Sequence, residues 1–145
     1  MSLSLCSWML TLIVVPDPVA VLAPLPRGAS QLRHGGSVTS LVFTPDGNTL
    51  ITGSGDGLIR LWDAASGKER RRLGGHKGRV LCLALSPDGK TLASGSDDNT
   101  IGLWAVAAGR PLRLLKGSHG WVWVKALAFS PDGQWLASAD DSPLA

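Results

Sequence analysis

Histidine, hydroxyl and carboxylate occur together twice in this chain, as His34, Thr52 and Asp56 and again as His76, Ser94 and Asp98. Such a trio suits acyl transfer, in which a carboxylate orients an imidazole and the imidazole takes a proton from the attacking hydroxyl. That chemistry also needs one exposed nucleophile, an oxyanion hole and a pocket. Two trios at the same 42-residue spacing suit a packing device repeated from unit to unit instead. The Gly-x-Ser-x-Gly elbow is missing, and Gly53-Ser54-Gly55 falls in a strand-to-turn segment. The expectation is no catalytic residue and no enzyme activity.

Other reactive patterns are weaker. The three histidines, His34, His76 and His119, lie 42 and 43 residues apart on separate units and should not converge on a metal. Gly53, Gly55 and Gly57 do not make a dinucleotide fingerprint, and Gly74-Gly75-His76-Lys77-Gly78 lacks the Lys-Ser/Thr of a phosphate loop. No cofactor is expected. Arg70-Arg71-Arg72 reads as charge protecting an outer strand edge rather than as a phosphate site. Cys6 and Cys82 form neither a disulfide framework nor a CxxC pair, and Cys82, in an apolar run, behaves as a small hydrophobe. The net charge of +3, from 14 basic and 11 acidic residues, is too small an excess to point to nucleic acid.

The elements that position these residues follow from a repeat. Residues 34–75 laid over 76–117 agree at 20 of 42 positions, including Pro-Asp-Gly, Thr-Leu, Gly-Ser and Ile-x-Leu-Trp. A third copy, 118–145, starts near His119, reaches Ser130-Pro131-Asp132-Gly133 and Leu136-Ala137-Ser138, and has two extra residues in the loop before it. With 18 glycines, 9 prolines and 44% hydrophobic residues, each copy reads as four short strands separated by turns. In the second copy these are Val80–Leu85, Thr91–Ser94, Thr100–Trp104 and Pro111–Leu115. In the first they are Val38–Phe43, Thr49–Thr52, Leu58–Trp62 and Glu69–Leu73. The opening proline of Pro111–Leu115 fits an edge strand that needs no backbone donor there.

Gly75-His76 near a unit's start and Trp62-Asp63 at the end of a third strand resemble the WD-repeat (WD40) β-propeller family over residues 34–140. The second copy has Trp104-Ala105 instead, His34 follows Arg33, and His119 follows Ser118. The resemblance implies an all-β partial propeller of four-stranded antiparallel blades: two complete blades, 34–75 and 76–117, plus a split or partial third. It also implies a buried tetrad in each blade, on His34, Thr52, Asp56 and Trp62 and on His76, Ser94, Asp98 and Trp104. Physically, carboxylate, imidazole, hydroxyl and indole N–H satisfy one another out of water. The third copy offers His119, Ser138 and a shifted acid at Asp141, with no tryptophan after them.

Residues 1–33 fit the repeat less well. Leu12–Val15 is expected to be a degenerate third strand and Ala29–Arg33 a fourth, which completes a split blade; alternatively Trp8 holds the tryptophan position with a longer insertion behind it. Met1–Val15 carries no charge, the first basic residue is Arg27, and Pro16-Asp17-Pro18 breaks the apolar stretch. This disfavours a secretory signal cut after Ala23, and it disfavours a membrane span. The cytoplasm is the expected location. Three blade equivalents cannot close a ring that needs about 4–8. The chain is expected either to assemble head to tail with copies of itself, in a ring of two or three chains, or to be a fragment of a longer array. The resemblance implies a non-catalytic scaffold that binds other proteins, with Arg60, Gly102, Trp121 and Trp123 as exposed contact candidates. A regulatory or targeting segment of a larger signalling protein is the alternative. A propeller hydrolase or ligand-binding enzyme, which would need acids or histidines converging in the channel, comes last.

Overall fold

The alternation of short apolar runs and Asp-Gly turns produces twelve strands and no helix among the described residues of the computed structural model, which are 19–22, 30–116 and 123–140. In chain order they are β1 Val19–Leu22, β2 Ser30–Arg33, β3 Val38–Phe43, β4 Thr49–Ser54, β5 Ile59–Asp63 and β6 Glu69–Leu73. There follow β7 Val80–Leu85, β8 Thr91–Ser96, β9 Thr100–Ala105, β10 Arg110–Lys116, β11 Val124–Phe129 and β12 Leu136–Asp140. They form two four-stranded antiparallel sheets, β3-β4-β5-β6 and β7-β8-β9-β10, flanked by the two-stranded pairs β1-β2 and β11-β12. The fold is an all-β, unclosed partial propeller with two complete blades.

The first and second strands of each unit join through the same turn. Gly47, Gly89 and Gly133 have φ of +70°, +71° and +70°, a left-handed conformation that glycine adopts without strain. Two residues ahead of the proline-aspartate step's end, a hydroxyl locks the turn: Thr44, Ser86 and Ser130 donate to Asp46, Asp88 and Asp132 at 2.6, 2.6 and 2.5 Å. Each glycine N–H returns to the carbonyl of Thr44, Ser86 or Ser130. The turns therefore fix the hairpin registers independently of the blade they serve.

The core lies between blades. Ile51, Ile59, Leu61 and Leu73 of the first blade pack on Val80, Leu92 and Trp104 of the second. Leu32 on β2 packs likewise against Leu50 and Trp62 on the other face of the first blade. Polar ties cross the same boundary: Thr39 Oγ1 donates to the Val80 carbonyl at 2.6 Å, and the Leu83 N–H donates to Ser40 Oγ at 3.1 Å. The next boundary has a weak sulfur donor, Cys82 Sγ to the Val124 carbonyl at 3.4 Å. Cys82 is buried, as a small hydrophobe in this position should be, and burial pushes its thiol pKa up.

The N-terminal strand assignment differs from expectation. The strand pairing with β2 is Val19–Leu22, bracketed by Pro18 and Pro24, and not Leu12–Val15. Val19–Leu22 is an uncharged run between two prolines, which suits a short strand at a sheet edge. Leu12–Val15 and Trp8 lie outside the described residues. β2 is Ser30–Arg33, and the expected first residue, Ala29, lies outside the described residues. In the second blade Pro111 sits on the edge strand β10, and the register shifts between Pro111 and Arg113.

The blades approach so closely that glycine is required on β8. A Cβ placed on Gly95 would lie 2.6 Å from both Cys82 Sγ and Val124 Cγ1. Gly95→Ala should destabilise the chain by about 1–3 kcal/mol, the usual cost of overpacking, read as a lower urea midpoint at unchanged slope.

Candidate functional site

The repeated polar residues converge at one end of each blade, where the loop after a fourth strand meets the turn between second and third strands. In the second blade His76 Nε2 lies 2.7 Å from Ser94 Oγ, and Trp104 Nε1 donates to the same oxygen at 2.8 Å. His76 Nδ1 lies 3.3 Å from Asp98 Oδ2 and 3.0 Å from Thr100 Oγ1. Asp98 also accepts from the Lys77 N–H at 2.7 Å and the Thr100 N–H at 3.0 Å, so it anchors loop and turn together. Ser94 is fully buried, and the His76 side chain is 1% exposed. All four residues meet.

The first blade solves the same problem differently. His34 Nε2 lies 3.1 Å from Thr52 Oγ1, and Trp62 Nε1 donates to that oxygen at 2.8 Å. Between Asp56 and His34, however, stands Arg60. Its NH1 lies 3.1 Å from His34 Nδ1, and its NH2 donates to Asp56 Oδ2 at 2.7 Å. Arg60 Nε is also 3.8 Å from Glu69 Oε2. Asp56 therefore reaches the imidazole through a guanidinium rather than directly.

Two expectations are corrected by this geometry. Arg60 is 5% exposed, because a carboxylate pair and an imidazole draw it into the blade, so it is no free contact residue. Gly102, its counterpart, is buried too: a Cβ there would sit 2.7 Å from Trp104 Cζ2. The signal was present in the sequence, since Arg60 follows Asp56 by four residues while the same place in the second copy is glycine. Thr100 and Glu69 were not anticipated as members of the networks. Trp123, by contrast, is 51% exposed, with the Lys125 ammonium 5.6 Å above its ring. His119, Trp121 and Asp141 lie outside the described residues, and Ser138 is exposed.

The arginines of β6 are engaged rather than free. Arg70 pairs with Asp63, Arg72 with Glu69, and Arg71 donates to the Ala107 carbonyl of the second blade. Among the described residues no three histidine, cysteine or acidic groups gather as a metal site. On the opposite end, grooves of about 370 Å³ and 340 Å³ run between the Pro-Asp-Gly turns, lined by Ser86, Asp88, Phe129 and Asp132 and by Asp46, Thr49, Lys90 and Val106 respectively.

A stack of four-stranded blades, each bound by a His–hydroxyl–Trp chain, defines a repeat propeller. The WD domain, G-beta repeat family model matches residues 29–63, 67–105 and 109–142, and the chain belongs to that family. The first two matches each begin on the outer strand of one blade and end on the inner three of the next, and the third runs over β10, β11 and β12. Human WD repeat-containing protein 38 is 51% identical over 43 residues, covering 30% of this chain and 14% of that protein. An uncharacterized WD repeat-containing protein of Nostoc is 48% identical over 41 residues, covering 28% of this chain and 3% of that protein. The chain thus spans a small part of these relatives. The solved structure of U3-55K superposes with a TM-score of 0.69 at 32% identity, over 83% of this chain and 36% of that one.

The networks dictate opposite histidine tautomers. Arginine only donates, so His34 Nδ1 accepts and its Nε2 carries the proton. Asp98 only accepts when ionised, so His76 Nδ1 carries the proton and its Nε2 accepts from Ser94. Long-range ¹⁵N–¹H spectra should show an Nε2–H imidazole for His34 and an Nδ1–H imidazole for His76, and Arg60→Gly should convert the first into the second. Asp98→Asn should lower the melting temperature, by about 1–3 kcal/mol of stability if the imidazole loses its acceptor.

Protonation follows from the same contacts. Burial lowers both histidine pKa values from 6.5; the Arg60 charge adds to this at His34, while Asp98 opposes it at His76. The unfolded chain then binds protons near pH 6.5 that the folded chain refuses, so stability falls as pH drops through and below 6.5. At Asp56 burial works upward, but the Arg60 hydrogen bonds, the Leu58 N–H and the Arg60 charge outweigh it and bring the pKa to about 2. Its contribution is present above its ordinary 3.8 and is lost as pH falls from there toward 2. Denaturant midpoints measured from pH 8 to 2 should decline in two stages.

Proposed function

We propose that the chain is a non-catalytic module that binds other proteins, as WD-repeat proteins generally do. The observation that carries this is a row of unlike residues at one place in the repeat. Ser37, Arg79 and Trp123 each immediately precede the innermost strand of their unit, and all three are exposed. The neighbouring Val38, Val80 and Val124 are identical in type, as packing demands. Where copies of one repeat agree, structure is being served; where exposed positions diverge, a surface is free to acquire specificity. Tryptophan and arginine are also among the residue types enriched in binding hot spots.

The hydroxyls of both trios support the same reading, since Thr52 and Ser94 are fully buried and each already receives an indole N–H. A nucleophile there could not meet a substrate. In this reading the module works in the cytoplasm, with its thiols reduced. The alternative of a segment serving a larger protein changes the setting and not the surface.

Affinity capture from a cell extract tests the proposal. Arg79→Ala and Trp123→Ala should each reduce recovery of specifically bound proteins at least tenfold, about 1.4 kcal/mol, while the melting temperature stays put. Unchanged recovery with both variants would overturn this surface. An ester hydrolysis activity abolished by Ser94→Ala at undiminished stability would overturn the non-catalytic reading.

A further inference from the structure

The outermost strands of the two complete blades share a backbone plan and differ in surface. β6 and β10 each end their sheet, so among the described residues each leaves one edge without a strand partner. An open edge is a template for any extended chain, and charge is a common protection. On β6 that protection is complete in itself. Arg70 pairs with Asp63 and Arg72 with Glu69, so the charges are satisfied within the blade.

The second copy replaces both ion pairs together. In register with Asp63, Glu69, Arg70 and Arg72, 42 residues on, stand Ala105, Pro111, Leu112 and Leu114. Loss of the arginines alone would strand two carboxylates; here both members of both pairs have become apolar. The leucines are not explained by packing, because these positions face water in either blade. The Arg70 and Arg72 side chains are 52% and 62% exposed, and Leu112 and Leu114 are each 50% exposed. The cations that remain, Arg110, Arg113 and Lys116, are exposed too, and β10 contains no acid. Among the described residues none of these three takes part in an ion pair.

We propose that the outer edge of β10 docks an extended segment of another protein, in which apolar side chains alternate with carboxylates. An added strand gains affinity from main-chain hydrogen bonds and specificity from alternate side chains. Pro111 has no N–H to offer, and the pairing of β10 with β9 shifts between Pro111 and Arg113. From Arg113 to Lys116 the register is regular, so the added strand pairs there. Successive side chains of a strand point to opposite faces. The segment therefore sets its apolar residues beside Leu114 on one face and its carboxylates beside Arg113 on the other, with Arg110 and Lys116 adding attraction at the two ends. A second copy of this edge is a poor partner, since it would bring like charges together. A lipid surface or a nucleic acid could meet the cations but has no backbone to pair with the edge. The surface is separate from Arg79 and Trp123, which precede innermost strands, and does not depend on the reading given to them.

Fluorescence anisotropy with a labelled alternating valine–glutamate peptide tests this on the 145-residue chain. Binding should be saturable and should weaken as salt is added, while an alternating valine–lysine peptide should not bind. In the complex, amide hydrogen exchange within Arg113–Lys116 should slow about tenfold, with that of Glu69–Leu73 unchanged. Leu114→Arg should weaken binding about tenfold. Ala105→Asp, Pro111→Glu, Leu112→Arg and Leu114→Arg introduced together rebuild the first blade's closed edge, and should abolish binding without lowering the melting temperature. Arg79→Ala and Trp123→Ala should leave the peptide's affinity unaltered, which separates this surface from the one proposed above. The proposal is overturned by absent binding, by equal binding of the valine–lysine peptide, by binding that leaves exchange at 113–116 unchanged, or by binding that survives the rebuilt edge. Leu114-dependent binding of phosphatidylserine vesicles or oligothymidylate in preference to the valine–glutamate peptide would overturn it as well.

Discussion

A four-stranded sheet with two apolar faces cannot be stable alone, and everything else in this chain answers to that constraint. The Ile51–Ile59–Leu61–Leu73 face of the first blade becomes core only because Val80, Leu92 and Trp104 arrive on top of it. Hydrophobic stabilisation, about 25 cal/mol per Å² of apolar surface removed from water, therefore accrues at blade boundaries rather than within blades. This explains why the bare backbone of Gly53 and Gly95 lies at the boundary, letting the neighbouring valine come within contact distance. It also explains why Leu41 and Phe43, on a face of the first blade that no complete blade covers, are exposed while their counterparts Leu83 and Leu85 pack against the core.

Stacking buries polar groups along with apolar ones, and the His–hydroxyl–Trp chains are the remedy. Trp104 can be buried in the boundary without penalty only if its indole N–H has an acceptor, and Ser94 supplies it. Ser94 in turn needs the imidazole, and the imidazole needs Asp98. The same chain ties the incoming loop to the turn between second and third strands, so satisfying a donor also holds a loop. Arg60 shows that the remedy is not unique. A guanidinium between Asp56 and His34 reverses the imidazole's hydrogen-bonding sense, yet the indole and hydroxyl keep their places.

Much of this was legible in the amino-acid sequence because the repeat supplies its own internal comparison. Twenty matches in 42 positions align the turns, and Asp-Gly turn chemistry fixes hairpin registers locally, so the strands β3 to β10 follow with ends displaced by a residue or two. Four members of the second network, His76, Ser94, Asp98 and Trp104, were readable through the family resemblance, whereas Thr100, which also meets His76 and Asp98, was not. The placement of Arg60 was not, because position in a repeat says which way a backbone points but not which of two carboxylates a long side chain will seek. The third strand before the first blade was misplaced for a different reason. Leu12–Val15 and Val19–Leu22 are both short uncharged runs, and only pairing with β2, a non-local event, separates them.

Agreement and divergence among copies therefore carry different kinds of information. Val38, Val80 and Val124 agree because each must enter a blade boundary, whereas Ser37, Arg79 and Trp123, one residue earlier, face water and are under no such demand. A scaffold built by repetition begins with identical surfaces on every unit, and identical surfaces cannot distinguish a partner's orientation along the arc. Specific docking requires that symmetry be broken where breaking it costs no packing. Arg79 meets both conditions: its side chain is exposed, while its backbone is held by the turn contact to Asp97 on one side and the buried Val80 on the other. A hydroxyl, a guanidinium and an indole in succession there give the arc a direction that its core does not have.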